Sequence, residues 1–280
     1  MIKQAIIYTI TIFTVLLVQF FVFYFLSKGK DKPSFKENLL SFIGASLFIG
    51  IMFSLITGVW DSINYKIVLF ILMASIISSY WFIINPLKYL FKAKKYFRDN
   101  ELEDEIKSEG YNYKILFTDQ FVSNALATGI IPFHKIIIVG KNLKEKLTKA
   151  QLKAIIYHEI GHHKRKHILK LFFVNIILQT IFFVMFSEIL KLHISVVYLE
   201  GLLVALAGAI GGLLFWFVPN KVSFYFEYHA DEYSASHYDR SAIIDSLTKL
   251  DEITEGKFTK GNSNHPSLEK RINNIAKSEI

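Results

Sequence analysis

The chain has 280 residues, 52% of them hydrophobic, with a formal net charge of +8 and no cysteine. That apolar fraction exceeds what a soluble domain needs, so part of the chain is expected in lipid. The missing cysteines exclude disulfides, thiolate metal ligands and cysteine nucleophiles, leaving histidine and carboxylate for any transition metal. The basic residues lie beside apolar blocks and form no single soluble face, which argues against nucleic acid as a partner.

Five apolar blocks have about the twenty residues needed to cross roughly 30 Å of hydrocarbon. They run from about Ala5 to Leu26, Leu39 to Val59, Ile67 to Leu87, Ile168 to Phe186 and Ile194 to Pro219. The first is longer than a signal-peptide core and lacks a small-residue cleavage pattern, so it is expected to be an uncleaved span. Lys28, Lys30, Lys32 and Lys36 follow span one, and Lys88, Lys92, Lys94, Lys95 and Arg98 follow span three. By the positive-inside rule these loops face the cytoplasm, as do His163 to Lys170 and Lys221, which puts the N-terminus outside and both polar segments inside.

Four regions result: 1–92 with three spans, a cytosolic segment 93–166, a membrane hairpin 167–219 and a helical C-terminal segment 220–280. Gly208 and Gly212 in the fifth span have the four-residue spacing that lets membrane helices approach closely.

In the cytosolic segment, Thr148 with Gln151 three positions later reads as a capping box opening a helix, with Leu152, Ile155 and Ile156 on its buried face. On that helix His158 and His162 are four apart and point the same way, so they can present two imidazole nitrogens to one ion. Glu159 lies about 100° round, beside the ion and not on it, where a carboxylate can activate an attacking water. Two histidines leave a four-coordinate catalytic zinc one protein ligand short, and no third histidine follows at the spacing that would extend the same helix. A downstream carboxylate is therefore required. The best candidate is Glu227 on a further helix, which shares a face with Asp231; Asp231 is then placed to accept a hydrogen bond from the far nitrogen of a ligand histidine.

Four segments, in order, carry a resemblance: Ser123-Asn-Ala-Leu-Ala-Thr-Gly129 before an apolar strand at Lys135 to Val139, Tyr157-His-Glu-Ile-Gly-His162, Glu227-Tyr-His-Ala-Asp231 and His265-Pro-Ser-Leu-Glu-Lys-Arg271. With them the chain resembles the HtpX-like and CAAX-prenyl-endopeptidase-like membrane zinc metallopeptidases, a gluzincin family. The resemblance implies a mainly helical, multi-span membrane protein with a zincin-like catalytic domain containing a small β-sheet. It implies one Zn2+ held by His158, His162 and Glu227, with Glu159 as general base and acid and Asp231 behind a ligand. It also implies that Asn124, Ala125 and Thr128 bind substrate along a strand, and that His265 and Arg271 stabilise the oxyanion.

The expected partners are a protein or peptide substrate and the lipid bilayer. A protease dedicated to one signalling partner, as in the beta-lactam sensor metallopeptidases, and a zinc-bound scaffold without activity are the alternatives. The presence of Glu159 favours an enzyme.

Overall fold

A computed structural model describes residues 6, 9–11, 13–18, 20–21, 35–59, 63–84, 86–87, 96–119, 123–131, 135–189, 191, 197–262 and 265–277. The basic residues expected at 28–32 and 88–95 lie outside them, as do residues 60–62 between spans two and three. The chain is mainly helical with one small sheet, and it divides into two compact units: Met1–Ser78 with Val174–Pro219, and Ser79–Phe173 with Asn220–Ile280.

The first unit is built from apolar helices. Helix α1 (Phe35–Val59) and helix α2 (Ile63–Ser79), which runs on as a π-helical turn (Tyr80–Ile84), are followed much later by most of α6 (His167–Ile189) and the first half of α7 (Val197–His237). Its core is aromatic: Phe53 stacks on Phe70 with ring centroids 5.4 Å apart, and Phe70 stacks on Phe183 at 5.7 Å. Gly208 faces Val15 so closely that an added Cβ would come within 3.0 Å of its side chain, which gives that glycine a packing role. The outward faces stay apolar. On α6, Ile177, Ile181 and Met185 recur every four residues as one exposed stripe.

Among the described residues, three helices are long and apolar enough to cross a membrane: Asn64–Ile84, His167–Ile189 and Leu202–His237. They correspond to expected spans three, four and five. Spans one and two appear as the shorter apolar segments Thr9–Val18 and Ser46–Ile56, and most of the rest of span one lies outside the described residues. At 41 residues, α7 is about 60 Å long at 1.5 Å per residue, twice the hydrocarbon thickness. The sequence ends the fifth apolar block at Pro219 and puts Glu227 on a further helix, but one helix carries both and passes through the proline, which lacks the N–H that bonds one turn back.

The second unit holds the sheet: β1 (Tyr96–Arg98), β2 (Lys114–Thr118), β3 (Ala125–Thr128) and β4 (Ile136–Gly140), in the order β1-β2-β4-β3. β2 and β4 pair in parallel, Leu116 opposite Ile138, while β3 runs antiparallel to β4 as an edge strand, Ala125 opposite Val139. Every residue of β4 is buried, which fits its continuous run of β-branched side chains. One sheet face packs on α3 (Asn100–Ser108), α4 (Lys141–Lys146), α5 (Lys149–Lys164) and α8 (Arg240–Ile253), where Ile115, Phe117, Ile137, Val139, Leu152, Ile156 and Leu247 form the main core; α9 (Leu268–Lys277) adds Ile275.

Asp99 caps α3, accepting from Leu102 N–H at 3.1 Å, and pairs with Lys144 at 2.6 Å. The hydrogen bond from Lys144 leads the causes that hold the Asp99 carboxyl below its usual range. A carboxyl lowered by folding stabilises the protein above its unfolded pKa, about 3.9, and that stabilisation is lost as pH falls below it. Asp99→Ala is expected to cost about 1 kcal/mol at pH 7 and less at pH 3, where the stabilisation is already being lost on the way down to the lower folded pKa. Thermal unfolding at both pH values checks this; an equal loss at both would contradict it.

Candidate metal centre

Helix α5 carries the first two site residues. Its start is fixed by a complete capping box: Thr148 Oγ1 accepts from Gln151 N–H at 3.3 Å, and Gln151 Oε1 accepts from Thr148 N–H at 3.0 Å. The helix is central: residues 152 to 161 are all buried, on both faces and not only on that of Leu152, Ile155 and Ile156. A buried Lys153 on such a helix needs partners, and Glu105 (3.0 Å) and Glu109 (2.7 Å) supply them. Tyr157 donates to the same Glu109 at 2.5 Å. This polar anchor fixes the back of the helix whose opposite side presents His158 and His162.

Helix α7 supplies the carboxylates, and it lies unusually close. A Cβ built on Gly161 would sit 2.9 Å from Tyr233 Cβ and 3.2 Å from Ala230 Cα, and Ser234 Oγ donates to the Ala154 carbonyl at 2.7 Å. Gly161→Ala is therefore expected to force the helices apart, costing about 1–3 kcal/mol as an overpacked contact and weakening metal binding by shifting Glu227. Melting temperature and zinc titration of that variant check it; values equal to wild type would show that the helices have slack.

The approach brings His158, His162 and Glu227 together, all three buried or nearly so. His158 Nε2 and His162 Nε2 are 3.2 Å apart, His162 Nε2 lies 3.4 Å from Glu227 Oε1, and His158 Nε2 lies 3.6 Å from Glu227 Oε2. An ion bonded at about 2.0–2.1 Å in tetrahedral geometry would hold its ligands about 3.3–3.4 Å apart. The two imidazoles and the carboxylate are thus spaced closely enough to share one small ion.

The charge also fits. Three carboxylates, Glu159, Glu227 and Asp231, face one buried guanidinium, Arg271, leaving room for a divalent cation. Burial alone would push the His162 imidazole down, but the hydrogen bond and charge of Glu227 raise it above the ordinary histidine value, a further sign that the pocket favours positive charge.

Behind the triangle stands a second row. His158 Nδ1 is 2.9 Å from Asp231 Oδ1, so a proton on Nδ1 leaves Nε2 free for an ion. Asp231 is fully buried and is gripped by Arg271, whose Nε (2.8 Å) and Nη2 (2.6 Å) both donate to it. Burial disfavours the charged guanidinium, but Asp231 and Glu227 more than offset this and raise the Arg271 pKa. Arg271, expected at the oxyanion, thus has its fork directed at Asp231, with Nη2 3.5 Å from Glu227 Oε2.

His265 reaches the site from the loop before α9, with Nδ1 2.9 Å from Glu227 Oε2 but without the alignment of a hydrogen bond. The loop is shaped by Gly261, whose φ of 69° is open to glycine and whose Cβ would meet Ser267 N at 2.7 Å.

A cleft of about 310 Å³ opens over these groups, lined by Glu159, His158, His162, Glu227, His265 and Arg271 and, along β3, by Asn124 to Ala127. Asn124 and Ala125 therefore border the cleft as expected. Thr128 does not: it is buried at the far end of the strand, paired with Ile136.

Two further histidines follow His162 in the same run. His163 is buried against Tyr113 with Nε2 directed at the Ile136 carbonyl, and burial pushes its imidazole down to about 4, so it is neutral. His167 turns back onto His162, because Lys166 takes a left-handed φ of 58° and ends the helix between them. The sequence signal for that turn is absent, since lysine rarely adopts it.

A helix bearing His-x-x-x-His, a second helix bearing a carboxylate and a four-stranded mixed sheet define a zincin-like fold with a candidate metal centre. The profile of peptidase family M48 matches residues 98–279, well over half of the chain, and the chain belongs to that family. It is 26% identical over 178 residues to protease HtpX of Pseudoalteromonas atlantica, covering 55% of this chain and 61% of that one. It is 25% identical over 179 residues to protease HtpX of Haemophilus influenzae strain PittEE, covering 53% and 61%. The chain thus spans less than two thirds of the length of these relatives. The crystal structure of S. mikatae Ste24p shares the fold, with a TM-score of 0.59 at 18% identity over 86% of this chain and 65% of that chain.

Proposed function

We propose that this protein is a membrane-embedded zinc endopeptidase that hydrolyses protein or peptide substrates on the cytoplasmic side of a cell membrane. The observation that carries the reading is the triangle of His158, His162 and Glu227 beside Glu159 at one cleft. In this reading those three residues hold one zinc ion per chain. When bound, zinc supplies a Lewis acid that polarises the scissile carbonyl and makes water a stronger acid. Glu159 takes the proton of the attacking water and passes it to the leaving amine. Asp231 keeps the His158 proton on Nδ1, and Arg271 holds Asp231, which makes Arg271 a positioning residue.

His265, which lines the cleft beside Glu227, is the side chain assigned to the developing oxyanion. The free edge of β3 at Asn124 and Ala125 suits an extended substrate, whose backbone can add a strand there. The cytoplasmic orientation, with the N-terminus outside, is supported by the lysines after spans one and three and by Lys221.

Two experiments test this. Detergent-purified protein should cleave an unfolded model protein, lose that activity to a chelator and regain it with zinc; cleavage surviving complete metal removal would overturn the reading. Because the chain has no cysteine, a single Lys260→Cys substitution at an exposed position should react with an impermeant thiol reagent only from the cytoplasmic side. Labelling from outside would reverse the topology.

A further inference from the structure

We infer that His167 is a positioning residue for the metal centre, accepting a hydrogen bond from the outer nitrogen of His162 and so fixing which nitrogen of His162 meets the ion; this rests on the zinc reading above. The two Nδ1 atoms are 3.1 Å apart. A neutral imidazole has one N–H and one lone pair, and a bound ion requires the lone pair at His162 Nε2, the nitrogen that faces His158 and Glu227. The His162 proton must then sit on Nδ1, pointing at His167. Between two nitrogens at this distance one donates and one accepts, so His167 offers the lone pair of its own Nδ1 and carries its proton on Nε2.

The surroundings of His167 explain how the ring is held. It is 1% exposed and lies flat on Phe226, with ring centroids 4.2 Å apart and planes 2° from parallel. Phe226 directly precedes Glu227, so the same stack that fixes His167 adjoins the third ligand. His167 Nε2 is buried without a hydrogen-bond partner among the described residues. A leucine or phenylalanine would fill the space beside Phe226 without that unpaired donor, which is costly. A histidine here is thus accounted for by what its other nitrogen does. The two ligand histidines are then held alike from behind, His158 by Asp231 and His162 by His167.

The test separates the stack from the hydrogen bond. His167→Phe keeps an aromatic ring on Phe226 and removes the nitrogen; His167→Asn loses the ring and places an amide oxygen close to where Nδ1 was. Zinc affinity is measured for each by competition with a chromophoric chelator on detergent-purified full-length protein, alongside wild type. His167→Phe is expected to weaken zinc binding about 10–100-fold, the usual loss on removing such a support, and His167→Asn to stay within about threefold of wild type. Zinc binding by His167→Phe within about threefold of wild type, or loss in His167→Asn as large as in His167→Phe, would overturn the assignment. Absence of zinc binding in wild type itself would instead overturn the proposed function on which it rests.

Discussion

Glu159→Gln is expected to bind zinc as wild type does and to lose peptidase activity by about 10²–10⁴-fold, the usual contribution of a positioned general acid or base. The substitution is nearly isosteric, and Glu159 is neither in the ligand triangle nor part of the Asp231–Arg271 pair. It does line the cleft, from a helix clamped by its capping box and by the Lys153 anchor. The amide keeps the shape of the side chain but cannot accept the proton of the attacking water. Zinc titration and initial cleavage rates on the same preparation separate the two effects. Activity retained within about threefold, with zinc bound, would remove Glu159 from the mechanism.

Arg271→Ala should strongly destabilise the second unit. It leaves Asp231, which is wholly buried, as a carboxylate without its charge partner, and breaking one side of a buried pair costs about 3–5 kcal/mol. The loss should reach the metal as well, since Asp231 without its guanidinium no longer holds His158 Nδ1 in place. Arg271→Lys should recover only part of both, because an ammonium replaces the two-pronged contact with a point charge. Thermal unfolding and zinc affinity of the two variants measure this. A melting temperature for Arg271→Ala equal to that of wild type would show that the pair is not the support it is taken to be.

Local grammar explains what the sequence made legible. The capping box at Thr148 and Gln151 set the start of α5, and the four-residue spacing of His158 and His162 set their shared direction. Glu227 and Asp231 could be paired with them because a zinc ion needs a third ligand and its histidine a support. The strand expected at Lys135 to Val139 is β4, shifted by one residue. What the sequence concealed depends on tertiary contact or on broken local rules. The direction of the Arg271 fork is set by a partner 40 residues away. His167 reaches His162 only through a left-handed lysine, and α7 continues through a proline that would ordinarily end it. The burial of α5 on both faces likewise follows from its position between the sheet, α7 and α8, which periodicity on one helix does not reveal.

The most direct test of the central claim is elemental analysis of zinc in detergent-purified wild type and Glu227→Ala, with a model-protein cleavage assay on both. The account predicts one zinc per chain in wild type, and loss of both zinc and cleavage in Glu227→Ala while the protein stays folded. Folded wild type without zinc, or Glu227→Ala retaining a full zinc equivalent, would contradict it.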